Sequence, residues 1–456
     1  MRDHTTLPAC IVLPASTQEV QAIMRAANRF KVQVIPFTNG MIAFCGPTTP
    51  APTICVHLSR MNRVLNIDED NLCATLEAFA DYGQLHAEAM KVVLWNGGSP
   101  LATTLCKMSS QTAFAGIWQT DLKYGTLTRN IISTKVVLPT GELLVTGSEA
   151  VSGVDDFWEY GPGPDLAHLP FFANAAYGIA TKMMWQLFPI PWGSQSIWAY
   201  YNGFKTPLIA VREFMRRDIG KGVSIIDLWT HSAYFSETID ESRILAKMAP
   251  KIFLGLSIEG TERTVAYQTK IASQIITESG GRIAPPELVE CYRGHEVNST
   301  GWQQSNSPRI LKHLGRTLAA GTYLAVNVYE EFSDRMEKIL LHDLEGEIDG
   351  YWNHPEPGFG EYAGGPQTYL CQFGHTNGAV EYIFAWDHRH QKNTQDMVRI
   401  ATEIKKVPDA MGAGPLVLGR DGLFPRIIRA NYEVTRKLKS LLDPENIMSP
   451  GITFLQ

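Results

Sequence analysis

The sequence has no CxxC pair, and its seven cysteines (Cys10, Cys45, Cys55, Cys73, Cys106, Cys291 and Cys371) are odd in number and widely spaced. Such thiols read as reduced and mostly buried. They argue against a disulfide framework, an iron–sulfur cluster or a structural zinc site, and for a cytoplasmic protein. No apolar stretch reaches the roughly 18 residues that a membrane span needs. The opening MRDHTTLPAC lacks the apolar core of a signal peptide. There is no basic run, and 40 Lys plus Arg stand against 46 Asp plus Glu for a net charge of −6, so nucleic acid is not an expected partner. Neither a GxGxxG turn between strand and helix nor a Walker A loop occurs, which disfavours nicotinamide binding of the Rossmann type and P-loop chemistry. Internal repeats and low-complexity tracts are lacking too. What is abundant is core material. Hydrophobic residues make up 45% of the 456, with 10 Trp, 16 Tyr and 19 Phe, enough for two or three structural units.

The first 60 residues alternate between strand and helix. CIVLPA reads as a strand, STQEVQAIMRAANRFK as a helix capped at Ser16 with Glu19 near a capping-box position, and VQVIPF as a second strand. Val20, Ile23, Met24 and Ala27 share one helix face. TICVHLSRMNRVLNID reads as a third strand with a turn inside it, after a loop from Pro36 to Pro52. A loop that leaves a strand end is where cofactor phosphates often sit. Further on, Leu72–Ala80 reads as a strand, YGQLHAEAMKVV as a helix with Leu85, Ala89 and Val92 inward, and KVVLPTGELLVTG as a hairpin. ANAAYGIATKMMWQLFPIP ends in an alternating strand, after which Pro189, Pro191 and Gly193 mark a boundary. Residues 194–410 mix helices (TPLIAVREFMRRDI, RTVAYQTKIASQIITESG) with strands (SIWAYYNG, KIFLGLSIEG, TYLCQFGH, VEYIFAW) without a strict βαβ beat, so the class is α+β. An amphipathic helix over 428–442 and the turn-rich DPENIMSPG close the chain.

Several of these segments, in this order, resemble the FAD-linked oxidases of the vanillyl-alcohol oxidase superfamily, the p-cresol methylhydroxylase fold. LPASTQEVQAIMRAAN is similar to the family's opening, and LSRMNRVLNID to the strand after its first phosphate loop. KYGTLTRNIISTKVVLPTGELLVTG resembles the segment beside the isoalloxazine, and LLDPENIMSPG the terminal closure. EYGPGPDLAHLPFFANAAYGIATKMMWQLFPIP resembles the branch that acts on 4-cresol and vanillyl alcohol, through Ala176, Tyr177, Gly178, Thr181, Lys182 and Met183. The resemblance implies an α+β fold in two parts. A two-part FAD-binding domain over 1–190 is completed by a C-terminal segment, 411–456, and an α+β substrate cap spans 191–410. It also implies FAD as cofactor, a small-molecule substrate over the flavin, an oligomer, and in some members an electron-accepting or paralogous subunit.

Carried onto this chain, the first phosphate loop is Pro36, Phe37, Thr38, Asn39, Gly40, Met41, Ile42, Ala43, Phe44, Cys45 and Gly46. The second holds Thr103, Thr104, Leu105, Cys106 and Lys107. Asn39, Thr38, Thr103 and Thr104 can donate hydrogen bonds to phosphate and Lys107 adds charge. Tyr124, Gly125 and the backbone around Ile131 correspond to the flavin-lining strand. Both loops are poor in glycine. Phe37, Phe44 and, in Glu77-Ala78-Phe79, Phe79 are bulky where the family has small residues, although a pyrophosphate needs close backbone approach. The phenol branch carries an acid just after Tyr-Gly, where this chain has Thr126, so that acid is not carried over.

Tyr177 and Tyr124 are the aromatic candidates for catalysis, with Trp95, Trp118 and Trp185 as possible pocket walls. Arg420, in GRDGLFPR where the chain returns to the flavin domain, is the candidate cation for a carboxylate or phenolate, against a surface ion pair with Asp421 or Glu433. His375 in FGHTNG resembles a metal-binding histidine of the 2-hydroxy acid dehydrogenases. Its second histidine is missing, since Glu381 and Tyr382 follow, and the later Glu-His step is Arg420-Asp421, so no metal is expected. His388 and His390 fit a solvated loop. Two readings stay open. One is a flavin-dependent dehydrogenase for a para-substituted phenol or aromatic alcohol, with a 2-hydroxy acid as the alternative substrate. The other is a cofactor-poor paralogue that serves as a structural subunit.

Overall fold

The computed structural model describes residues 7–38, 52–98, 106–112, 120–159, 163–171, 173–203, 205–227, 252–285, 316–338, 368–374, 377–386, 395, 406–407, 410–411, 414–415 and 429–450. The chain opens with β1 (Cys10–Val12), α1 (Thr17–Phe30), β2 (Val34–Phe37) and β3 (Ile54–His57). Helix α1 starts where expected, because Ser16 Oγ accepts the amide of Glu19 at 3.2 Å and Glu19 Oε2 reaches back to the amide of Ala15 at 2.8 Å. Val20, Met24 and Ala27 of α1 pack with Val34, Val56, Ile179 and Ile447. The three strands form a parallel sheet with β3 between β1 and β2.

TICVHLSRMNRVLNID is not one strand. A turn, closed by the Met61 amide on the Leu58 carbonyl at 2.8 Å, separates β3 from β4 (Val64–Asp68), which belongs to another sheet. β5 (Cys73–Glu77), α2 (Tyr82–Met90), β6 (Leu94–Trp95), α3 (Asp121–Tyr124), β7 (Ile131–Val137), β8 (Leu143–Val145) and β9 (Ile179–Gln186) follow. The antiparallel sheet has the order β4-β5-β9-β7-β8 among the described residues. β9 does not alternate. It is buried at almost every residue, because Ala180, Met183 and Trp185 face one core while Ile179 joins the core under α1.

After β10 (Phe188–Pro189) come β11 (Gly193–Tyr201), α4 (Lys205–Arg216), β12 (Gly222–Asp227), β13 (Ile252–Gly260), α5 (Glu262–Glu278), β14 (Arg282–Ile283), β15 (Arg316–Ala325), α6 (Tyr329–Lys338), β16 (Thr368–Phe373), β17 (Asn377–Trp386) and β18 (Gly414–Pro415). Their strands form one antiparallel sheet in the order β14-β11-β13-β12-β16-β17-β15-β18. Phe214, Ile275, Ile276, Tyr329 and Phe332 of the helices cover one face of it, against Ile197, Ile225, Leu254, Leu256, Leu324 and Val380. By alternation, the other face carries Ser196, Trp198, Ser224, Ser257 and Glu259.

The sheet extends past the expected boundary at 411, since Gly414–Pro415 pairs with β15. Beyond it, α7 (Arg429–Leu442) and the closing turn bond to the first part of the chain. The Val34 amide donates to the Ile447 carbonyl, and the Ser449 amide to the Val34 carbonyl, each at 2.8 Å. Lys439 Nζ donates to the carbonyls of Ala176 at 3.0 Å and Met448 at 2.8 Å and is ion-paired with Asp443, whose carboxylate accepts the amides of Ile447 and Met448.

Candidate functional site

Two clusters lie where the sequence places the cofactor. The first is at the carboxyl ends of the parallel strands β2 and β3, the position where α/β sheets admit ligands. Pro36 is opposite Val56 and Phe37 opposite His57. The His57 ring lies 5.7 Å from that of Phe37 and 5.4 Å from that of Phe79. Lys107 Nζ stands 5.1 Å from the Phe79 ring centre and 2.9 Å from Asp81. Asp81 has a second task. It caps α2, taking the Gln84 amide at 2.8 Å, and so ties Lys107 to a helix start. Thr38 follows β2 directly. Asn39, Gly40, Met41, Ile42, Gly46, Thr103 and Thr104 lie outside the described residues, as do Arg420, His375, His388, His390 and Trp118.

The second cluster joins residues 123–125 to the sheet that has eight strands among the described residues. Tyr124, the last residue of α3, donates its phenol hydrogen to Glu259 Oε1 of β13. Lys123 Nζ lies 2.7 Å from the same oxygen, and Lys221 Nζ 2.9 Å from Glu259 Oε2. The Glu259 side chain is 2% exposed and that of Lys221 fully buried, whereas Lys123 is 48% exposed. Trp95 stands edge-on to Tyr124 at 5.4 Å, Phe188 tilts against Tyr124 at 4.4 Å, and the Lys221 ammonium lies 4.8 Å from the Trp95 ring centre.

Electrostatics follow from these contacts. Burial alone would raise the Glu259 pKa, but Lys221, with Lys123 and Tyr124, outweighs it and holds the carboxyl below the ordinary range. Burial, and then the Glu259 charge, pushes the Tyr124 phenol far upward, so Tyr124 stays a neutral donor. Gly125, next in the chain, has φ +70°. The Ile131 side chain is turned into the core at the start of β7, which leaves only its backbone for a ligand.

Tyr177 stands apart from both clusters. Its ring packs with Leu169, Tyr432, Leu438 and Leu442, and its hydroxyl donates to the Thr435 carbonyl at 3.3 Å. Burial pushes its pKa up to about 12. It anchors α7, and nothing in this placement suits it to proton transfer. Trp185 is likewise a core residue, with Nε1 donating to the Asn96 carbonyl at 3.1 Å.

Residues that the sequence reading passed over matter here. Asn96 is fully buried, holds the His86 ring at 3.1 Å through Oδ1, and has no partner for its Nδ2. Gly97 and Gly98 follow with φ +81° and +155°, conformations that side-chain-bearing residues rarely take. The Gly-Gly dipeptide, upstream of the second loop, was visible in the sequence. His57 Nδ1 is also buried without a partner. Lys221 and Glu259 had no sequence signal, being single charges, one just before β12 and one in β13. The unpaired His57 nitrogen stands at the carboxyl ends of parallel strands, and the unpaired Asn96 Nδ2 stands beside the Gly97-Gly98 backbone after β6; buried groups of this kind suit a phosphorylated cofactor. Among the described residues no group of three or more His, Cys, Asp or Glu could hold a metal ion, and no helix is long and apolar enough to cross a membrane.

Comparison with known proteins agrees with this geometry. A family model described as an FAD binding domain matches residues 8–147. The glycolate oxidase subunit GlcD of Bacillus subtilis is 24% identical over 99% of this chain and 90% of its own. The structure of p-cresol methylhydroxylase with substrate bound superposes with a TM-score of 0.77 at 17% identity, over 97% of this chain and 88% of that one. The 4-ethylphenol oxidase of Gulosibacter chungangensis, in complex with isoeugenol, gives 0.75 at 18% identity, over the same shares.

Proposed function

The chain belongs to the FAD-linked oxidases of the vanillyl-alcohol oxidase superfamily, and on that premise we propose that it is a dehydrogenase for a para-substituted phenol or aromatic alcohol. It is an FAD-dependent oxidoreductase, with the FAD-binding match covering both phosphate loops, so the cofactor-poor alternative is set aside. One observation carries the choice of substrate: the junction around Tyr124 combines aromatic faces with a half-exposed ammonium, that of Lys123.

Bound FAD supplies the hydride acceptor. The chain supplies orientation and charge. Tyr124 and Phe188, both partly exposed, offer apolar faces for an aryl ring, with the buried Trp95 packed edge-on behind Tyr124. Lys123, at 5.1 Å from the Tyr124 ring centre, offers positive charge for a phenolate oxygen. Glu259 holds the Tyr124 hydroxyl on one side, so the ring keeps one orientation. Pro36, Thr38, Asn39, Gly40, Met41, Ile42, Gly46, Thr103, Thr104 and Lys107 are assigned to the pyrophosphate, and Tyr124, Gly125 and the Ile131 backbone to the flavin ring. Arg420 is assigned to the substrate's anionic end. A 2-hydroxy acid is disfavoured because Glu381-Tyr382 and Arg420-Asp421 replace the metal-binding residues of that branch.

The test is anaerobic reduction of the purified, yellow protein. Para-alkylphenols or para-hydroxybenzyl alcohols should bleach the flavin band, and glycolate or lactate should not. The opposite pattern would transfer the assignment to 2-hydroxy acids. A colourless protein that takes up no FAD would refute the flavin assignment as well.

A further inference from the structure

We propose that His57, together with Lys107, holds the pyrophosphate of FAD through side-chain donors, replacing the backbone donors of a glycine-dense loop. The inference rests on the FAD reading above and goes beyond it, because His57 belongs to neither phosphate loop.

The observations are local and mutually consistent. His57 ends β3, so it stands at the carboxyl edge of the parallel sheet, beside the end of β2 from which the first loop departs. Its Nδ1 is buried and has no hydrogen-bond partner. An orphaned buried ring nitrogen costs free energy, and native structures rarely keep one without a ligand or water to satisfy it. Burial lowers the His57 pKa, so the imidazole is neutral before an anion arrives, and a neutral ring still carries one N–H.

The two rings that flank His57 are Phe37 and Phe79. These are two of the three bulky residues that stand where the family has small ones. Read separately, each is an obstacle to close backbone approach. Together they pack against the imidazole as two tilted rings. Lys107 completes the cluster from the second loop, lying over Phe79 and fixed by Asp81 at 2.9 Å. A phosphate kept away from the backbone by two phenyl rings lies within the reach of longer side chains. An imidazole N–H and an ammonium provide directed donors there, while Asp81 offsets part of the positive charge.

The experiment uses full-length apoprotein, titrated with FAD and with riboflavin and followed by quenching of flavin fluorescence. Riboflavin has the ring system but no phosphate. His57→Ala should weaken FAD binding by about tenfold to a hundredfold, the value of a hydrogen bond to a charged group. Riboflavin binding should change by less than about twofold on that scale. Lys107→Met should behave in the same direction. His57→Asn, whose amide nitrogen can stand near Nδ1, should retain most of the FAD affinity. Circular dichroism verifies the fold of each variant, and if His57→Ala does not fold, His57→Asn and Lys107→Met still decide the matter. Equal weakening of FAD and riboflavin would show that these residues only support the fold, and unchanged FAD binding would show that they do not touch the cofactor. Either result overturns the proposal while leaving the FAD assignment intact. Wild-type apoprotein that takes up no FAD overturns both.

Discussion

Replacing Lys221 by methionine should destabilise the protein in a way that discloses its partner. The Lys221 ammonium is fully buried, paired with Glu259 at 2.9 Å. Methionine keeps most of the stem volume, so the cavity contribution is small. What is lost is the main counter-charge of a carboxylate that is itself 2% exposed. Breaking a buried pair from one side typically costs about 3–5 kcal/mol. Here Glu259 retains Lys123, but that side chain is 48% exposed and its charge is screened by solvent. Tyr124 also remains as a donor. The expected loss is therefore about 2–4 kcal/mol, below the full penalty. Glu259→Gln should lose a similar amount, because it leaves Lys221 buried without its anion. The double variant should cost no more than either single, since no charge is then stranded, giving a coupling of about 2–4 kcal/mol. Urea unfolding followed by tryptophan fluorescence is the assay, and Trp95, with its ring centre 4.8 Å from the ammonium, is a local reporter. Strict additivity of the two single variants, or a loss below about 1 kcal/mol for Lys221→Met, would refute the reasoning.

Other expectations follow from single contacts. Gly178→Ala should destabilise by about 3 kcal/mol or more and lower the melting temperature, because the added Cβ would stand 2.5 Å from the Val137 carbonyl oxygen in backbone with φ +144°. Lys439→Met removes the donor shared by the Ala176 and Met448 carbonyls and strands Asp443, so limited proteolysis with subtilisin should cut the closing turn faster than in wild type. Arg420→Met should lower kcat/KM with the true substrate about ten- to a thousandfold with little change in flavin content, and activity within about twofold of wild type would make Arg420 a surface residue. Stability should decline in acid. For Glu259, Lys221 outweighs burial, and for Glu77, Arg63 does, so both folded-state pKa values lie below the unfolded value of about 4.3. Their contribution is complete above that pH and is lost as pH falls through the depressed values. A melting temperature that stays flat into that acid range would contradict this.

The local elements were legible because they are specified locally. Ser16, Glu19 and the Val20–Ala27 stripe define α1 without reference to the rest of the chain, and the hairpin of β7 and β8 is set by its own turn. Two strands that escaped notice were GVSIID and RTLAAGTYLA, mixed runs whose meaning comes from their neighbours across the sheet. β9 was misread for the same reason. Whether a strand is buried on one face or two depends on what covers the second face, and here that is α1, from far upstream in the chain.

The functional residues divide along the same line. Tyr124 drew attention because its segment resembles the family, and Lys107 because it supplies charge to a loop that departs from the family's pattern. Their chemistry could not be read there, since it is decided by partners from other elements. Lys107 is a fixed donor and not a mobile surface charge only because Asp81, at the cap of α2, holds it. Tyr124 stays a protonated donor because it is buried and because the Glu259 charge reaches it from β13. Lys123 and Tyr124 help to keep Glu259 ionised, but the main partner is Lys221, which lies beside Glu259 just before β12. Antiparallel register brings those two together: Gly222 is opposite Ser257, so the residue before the one strand lies close to the residues at the end of the other. A single lysine between glycines therefore becomes a buried counter-ion through sheet pairing, and the carboxylate it holds helps to keep the Tyr124 phenol protonated.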